Sequence, residues 1–415
     1  MNRFVVVLLI AFTCLAASAA RADDSGGFTR QILEGGQIAA GELAATARLS
    51  LDPADNQARF GLAMIRFARA IERYGQTQYR YGLRAPRNVN LPLLRFPVPV
   101  NPTPDELTYA KQRDALEAML GDLTGVEATL APMTERRVKI VLGLNAIKFD
   151  LRGDGKPDDS EKLSSILASL RMMQADSAGK AEPFEVAFDN ADALWLRGYC
   201  RLLSAAIEFV LAYDWRLTFE RVGGLFYPRI APSPFQGKAA DPDIERDSGW
   251  FGGRAQIADV IALVHEIRWP LAEPARLQNA HADLKQVIAL NRQTWQAILA
   301  RTDDDRVWIP GPQQKHGVLT GMPVNQQQLD AWLRALDEFD AVLDGRKLLP
   351  HWRFVEGVNF RKVFFDPRPF AFVLWATGQA AAPYLEAGSI LPATEWEEWQ
   401  RIFDGNFPGY AFWFN

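Results

Sequence analysis

Six prolines fall between residues 84 and 104, in RAPRNVNLPLLRFPVPVNPTP, and they interrupt a chain that is otherwise patterned as helix. A proline ring fixes φ, removes the backbone N–H and pushes the preceding residue out of the helical region. The stretch therefore reads as an extended connector, and a second Gly- and Pro-rich connector spans 222–253. On either side of these breaks, apolar residues recur at helical spacing. Residues 28–50 carry such a pattern, broken at Gly35-Gly36, and a helix from Ala58 to Tyr74 follows the turn at Asp52-Pro53. Thr103-Pro104-Asp105-Glu106 has the form of a capping box with proline in the first turn, which predicts a helix running to about Leu123. The longest pattern covers 188–215, where Leu194, Tyr199, Leu203, Ile207, Val210 and Leu211 form a wide apolar face, placing this helix at the centre of the core. Further helices are predicted over 255–268, 275–301, 325–344, 378–387 and 393–404. VKIVLGLNA, with Val138, Ile140, Leu142 and Leu144 at period two, reads as a short strand. The fold class is mainly α: packed helical hairpins, one short strand and long proline-rich connectors.

The N-terminus predicts export. Arg3 supplies a positive charge, Phe4 to Ala17 an apolar run, and Ala20-Arg21-Ala22 a small-residue cleavage site before Asp23. That is the pattern of a secretory signal peptide over residues 1–22, and the run is shorter than the roughly 20 residues of a membrane span. Cleavage removes Arg3 and Arg21 and no acid, taking the net charge from −4 to near −6. So acidic a chain is a poor general binder of nucleic acid, which calls for a strong basic excess. Only Cys200 survives cleavage, so no intramolecular disulfide can form, and stability must come from burial. No later segment reaches about 18 uninterrupted apolar residues, so no transmembrane segment is expected in the mature chain. The expected location is the periplasm or the extracellular medium, with an unidentified protein or envelope component as partner. Three regions are expected after the leader: a helical region at 23–135, a strand–loop–helix unit at 136–180, and a second helical region at 181–415.

LSLDPADNQARFGLAMIRFARAIERY places Pro53 at a turn, with Ala58, Leu62 and Ala63 at small and apolar contact positions. Over about 40 residues it resembles a tetratricopeptide repeat, although Gly75 and Gln76 stand where the second helix would begin and no regular period continues. As a whole the chain resembles exported bacterial proteins with a repeat-like helical start, a resemblance that implies no particular activity.

Chemistry concentrates in one loop. From Asp150 the sequence runs D-L-R-G-D-G-K-P-D-D-S-E. These twelve residues resemble the EF-hand calcium loop, whose carboxylates alternate around a glycine turn at the sixth position. The resemblance implies a metal set of Asp150, Asp154, Lys156 (through its backbone carbonyl), Asp158 and Glu161, with Gly155 at the sixth position and calcium as the cofactor. Two residues depart from it. Arg152 stands where the third ligand should be, and Pro157 replaces the usual aliphatic residue at the eighth position. The expectation is a solitary structural site of weakened affinity. The alternatives are an acidic turn that caps the following helix, or a loop neutralised from within if Arg152 fills the cation's place.

Elsewhere no catalytic constellation is visible. His265-Glu266 lacks the second histidine of a zincin, because Trp269 stands four residues on, and the four histidines are dispersed. Ser177-Ala178-Gly179-Lys180 matches S-x-x-K without its companion motifs, and no nucleophile elbow or phosphate-binding loop occurs. Asp303, Asp304 and Asp305 lack alternating spacing. Residues 73–87 interleave Tyr74, Tyr79 and Tyr81 with Arg73, Arg80, Arg84 and Arg87, a pattern suited to anionic or sugar-bearing polymers or to a solvated helix end. The expected function is an exported soluble binding or scaffolding protein with a structural calcium-type loop. The alternatives are an envelope-polymer hydrolase using carboxylates that sequence spacing cannot place, and a docking module built on the aromatic C-terminus NFPGYAFWFN. That tail otherwise reads as a strand docked on the core.

Overall fold

A computed structural model describes residues 26–84, 96–134, 137–169, 184–231, 257–302, 306–314, 317 and 324–415. The expected signal peptide, the S-x-x-K match, Asp303–Asp305, His316, Arg87 and the centres of both connectors lie outside these residues.

The first helix, α1 (26–35), stops where Gly36 adopts φ +68°, a left-handed conformation that ends a helix at little cost. Helix α2 (Ile38–Leu51) follows, and then α3 (Asn56–Arg80), which Asp55 caps by accepting the Ala58 N–H at 2.9 Å. The two pack as a hairpin around Pro53, and α3 runs on through Gly75 and Gln76 as one helix. Helix α4 is Tyr109–Leu130 and starts later than Thr103-Pro104 predicts. Leu107, wholly buried, is held extended by backbone bonds to Arg229 and Ala231, so the N-cap passes to Thr108, which accepts from Lys111 N–H. Here a tertiary contact overrides a local start signal.

Strand β1 (Lys139–Gly143) pairs antiparallel with β2 (Glu185–Asp189), with Ile140 opposite Phe188 and Leu142 opposite Val186. Ile140 and Leu142 are buried, as the period-two pattern requires. Helix α5 (Leu163–Ser169) follows the acidic loop and a short 3-10 turn at Asp159–Glu161. The central helix is α6 (Asn190–Leu211). Its capping box sits beneath a buried arginine: Asp189 accepts Ala191 N–H, Asp192 accepts Asp189 N–H, and Arg301 grips Asp189 with two nitrogens at 2.6 and 2.7 Å. Arg301 also reaches Asp192 at 3.1 Å and so ties the start of α6 to the residue just beyond α9 (Ala275–Leu299).

Helix α6 serves two cores. Leu196, Ile207 and Leu211 join a cluster with α1 to α4 and the strand pair. Ala191 and Ala205 join a second cluster with α9, α10 (Gln326–Leu343), α13 (Ala393–Ile402) and α14 (Phe407–Phe414). Small residues on the second side suit close approach to α9, while each large residue on the first contributes about 2 kcal/mol by burial. The remaining elements are α7 (Arg216–Val222), α8 (Ile257–Glu266), α11 (Phe360–Phe365) and α12 (Phe372–Ala376), with two-residue strands β3 (Arg268–Trp269), β4 (Gly357–Val358), β5 (Phe370–Ala371) and β6 (Leu385–Glu386). The protein is mainly α, with only short antiparallel strand pairs among the described residues. No described helix is long and apolar enough to cross a membrane.

Two expectations are corrected. Residues 378–387 form a 3-10 turn at Ala382–Tyr384 and then β6, because Gly378 at φ +92° and Pro383 break the helical pattern. The aromatic tail is helix α14, with Pro408 in its first turn, and not a strand. It is docked as expected, with Phe407, Tyr410, Trp413 and Phe414 buried.

Candidate functional site

The acidic loop is closed at its base by a two-residue antiparallel bridge. Phe149 N–H donates to Glu161 O, and Leu163 N–H to Ile147 O. Phe149 and Leu151 anchor it in the first core, and it lies on α3, where Glu72 accepts Asp150 N–H at 2.8 Å and Gln76 donates to Asp150 O at 2.7 Å. Burial raises the Glu72 carboxyl above its usual range against the pull of its neighbours Asp150 N–H and Arg69.

Each predicted ligand can be placed. Asp150 accepts the N–H groups of Asp154 and Gly155, one on each oxygen, at 3.1 and 2.9 Å. Gly153 and Gly155 both take left-handed φ, at +70° and +74°, which brings those amides round to it. Asp154 accepts Lys156 N–H, and no hydrogen bond or ion pair of the Lys156 ammonium is found among the described residues. Asp158 caps the 3-10 turn, and the Ser160 hydroxyl and then Arg152 hold its carboxyl low, at about 2. Glu161 is wholly buried. Its Oε1 accepts Leu151 and Arg152 N–H at 2.9 and 3.1 Å, and its Oε2 accepts Arg152 Nη2 and Asp158 N–H at 2.8 and 3.0 Å.

A carboxylate offers about four acceptor positions, and all four of Glu161 are used. The Arg152 guanidinium bridges Asp158 and Glu161, the ninth and twelfth positions, with Asp154 at 3.8 Å. Asp150, Asp154, Asp158 and Glu161 thus come together around backbone amides and one arginine. This donor set does not fit a divalent cation, and no group of three or more His, Cys, Asp or Glu side chains among the described residues could hold a metal.

The second cluster is one that the sequence reading missed. A cleft of about 300 Å³ opens where α4, α6 and α9 meet, with Thr124, Glu127, Arg201, Ser204, Glu208 and Asp283 in its wall. The polar residues stand at helical spacing on each helix: Glu117, Thr124 and Glu127; Arg197, Arg201, Ser204 and Glu208; Arg276, Asn279 and Asp283. Three stripes with members three, four or seven residues apart are the sequence signal for such a site, but each taken alone reads as a solvated face.

At its centre Arg201 spans two acids, donating to Glu127 Oε2 at 3.0 Å and to Asp283 Oδ1 at 2.9 Å. Arg197 holds the other Glu127 oxygen at 2.7 Å. Arg276 and Asn279 hold the two oxygens of Glu208 at 2.9 and 3.2 Å, and Arg276 also pairs with Glu117. Burial raises the Asp283 carboxyl, and Arg201 opposes that shift without cancelling it. Burial also pushes up the Cys200 thiol beside them, which makes it inert as a nucleophile. Arg201 Nε is buried without a hydrogen-bond partner among the described residues. The cleft therefore offers preoriented donors and acceptors, held by ion pairs between the three helices.

The remaining sequence candidates among the described residues do not assemble into a site. His281 contacts Leu343 O, His351 contacts Trp375 O, and His265 is exposed on α8. In the arginine–tyrosine stripe, Tyr74 and Tyr81 are buried, while Arg73 and Arg80 pair with Asp122 and Asp105. Comparison with known proteins finds no matching family model, no similar curated protein and no similar solved structure.

Proposed function

We propose that this chain is an exported binding or scaffolding protein that holds a small polar ligand in the cleft between α4, α6 and α9. The observation that carries this reading is Arg201, held between Glu127 and Asp283 in the wall of that cleft. Such a site hydrogen-bonds a ligand carrying both donors and acceptors, and its three acids beside Arg201 favour one that brings an amino group. Short peptides and amino sugars, the building blocks of envelope polymers, have that chemistry. The test is calorimetry of the mature chain against a panel of free amino acids, dipeptides and amino sugars, with Arg201→Lys alongside. The proposal expects saturable binding that Arg201→Lys weakens about tenfold, since lysine keeps the charge and loses the planar fork. A panel without binding, or binding indifferent to residue 201, removes it.

Hydrolysis of envelope polymers is the second reading, favoured by Asp283, whose raised carboxyl is a property of a general acid. It requires turnover that Asp283→Asn abolishes. Against it, both Glu127 and Asp283 are committed to Arg201, which leaves neither free as a base. In the proposed protein the Asp150–Glu161 loop is a structural brace, and the cation it closes on is Arg152.

A further inference from the structure

We propose that residues 351–376 form an interfacial patch that seats this protein on an anionic lipid surface. Residues 351–376 hold Arg353, Arg361, Lys362 and Arg368 against Glu356 and Asp366, a net +2 within a chain of net −4, while Arg346 and Lys347 just before them are paired with Asp340, Asp344 and Glu338. That asymmetry gives the molecule a basic end able to face anionic headgroups while the acidic remainder is repelled.

Apolar side chains stand out from this basic end. Trp352 is 75% exposed, Val355 91% and Phe372 47%. Helix α12, Phe-Val-Leu-Trp-Ala, is apolar at every position and buries none of its residues fully. It lies beside the Trp352 loop, because Trp352 Nε1–H donates to Ala376 O at 3.0 Å and His351 Nε2 contacts Trp375 O at 3.1 Å. Gly378 completes the lock: at φ +92° it packs so closely on Phe354 that a Cβ there would lie 2.8 Å from the ring.

Two consequences favour lipid. The indole N–H is satisfied within the protein, so burying the ring in hydrocarbon leaves no donor unpaired. The ring is also held in place, so little side-chain entropy is lost on insertion. Arg353 lies 4.5 Å from the Trp352 ring centroid and Arg361 4.2 Å from that of Phe365, and neither guanidinium has a carboxylate partner among the described residues. An aromatic ring at the acyl boundary with a free guanidinium at headgroup depth is the arrangement of an interfacial anchor.

The test is co-sedimentation of the mature full chain with vesicles of phosphatidylethanolamine and phosphatidylglycerol, and with neutral phosphatidylcholine vesicles. The expected result is binding to the anionic vesicles only, weakened by salt, with a blue shift of tryptophan emission. Trp352→Ala and Arg353→Glu should each lower the partition coefficient about tenfold or more. Both side chains are exposed, so unchanged circular dichroism certifies the fold. Wild-type chain left in the supernatant overturns the proposal, as do variants that bind like wild type. So does a patch that turns out to pair two copies, seen as a wild-type dimer in sedimentation velocity that Trp352→Ala dissociates.

Discussion

Arg152 Nη2 lies 2.8 Å from Glu161 Oε2, and Glu161 is wholly buried. The arginine thus supplies, from inside the chain, the positive charge that a loop of this spacing otherwise takes from a metal. Removing it in Arg152→Ala leaves a buried carboxylate with amide partners only. The expected loss is about 2 kcal/mol, seen as a lower urea midpoint. Arg152→Asp places an oxygen at the third position and removes the competing charge. That variant should be less stable than wild type in chelator and regain stability with calcium, whereas wild type should melt at the same temperature in either. A wild-type melting temperature that rises with calcium would mean that metal displaces Arg152.

The pair Asp189–Asp192 beneath Arg301 predicts a pH dependence. Burial pushes the Asp192 carboxyl up to about 8, with the neighbouring Asp189 charge adding to it against Arg301. Burial also acts on Asp189, but the two-nitrogen grip of Arg301 outweighs it and holds that carboxyl below its usual range. One proton therefore stays on Asp192 in the folded protein at pH values where an unfolded aspartate, with a pKa of about 3.9, has lost it. Between those values the folded state binds more protons, so stability falls as pH rises. Asp192→Asn imitates the protonated form. It should lose this slope and exceed wild type in urea midpoint near pH 8. A variant less stable than wild type at that pH would show that Asp192 is ionised against Arg301.

The long helices were legible because each of α3, α6, α9 and α10 carries apolar residues that recur at period 3.6, and β1 alternates in the same plain way. What stayed hidden depends on contacts distant in sequence. Thr103 carries a better start signal than Thr108, but Leu107 is pinned to a chain segment more than a hundred residues away. Phe360–Phe365 and Phe372–Ala376 are too short, at six and five residues, for a helical period to show. In the acidic loop the spacing marked the residues that come together and named Arg152 as the departure, but the inward turn of Glu161 to meet it depends on the fold around the loop. The cleft needed three helices at once, since in the sequence Glu127, Arg201 and Asp283 each read as ordinary surface residues.

Because Arg201 neutralises Asp283 in that cleft, the two should couple in stability. Arg201→Ala leaves Glu127 with Arg197 but strands Asp283, a buried carboxylate. The expected loss is about 2–3 kcal/mol at neutral pH. Asp283→Asn in the same chain should recover part of it, because the stranded charge is then gone. Losses that simply add would show that the ion pair contributes nothing.

The C-terminal helix is core, and its removal should unfold the second half of the molecule. Phe414 and Phe403 are wholly buried, with Phe407, Tyr410 and Trp413 nearly so, and Phe414 lies edge-on to Trp295 and Trp332 at 4.8 and 5.4 Å. The wholly buried Asn291 accepts Trp332 Nε1–H at 2.8 Å and donates to Phe414 O at 2.7 Å, so the tail also completes a buried polar chain. Burial of a large side chain contributes about 1.5–3 kcal/mol, so losing four exceeds half of a typical 5–15 kcal/mol total. Deleting residues 406–415 should therefore give a chain that aggregates or loses near-ultraviolet circular dichroism. Asn291→Ala should cost about 2 kcal/mol by leaving Trp332 Nε1–H and Phe414 O unpaired. A truncated chain with wild-type near-ultraviolet signal and melting temperature would return the tail to the role of an exposed docking element.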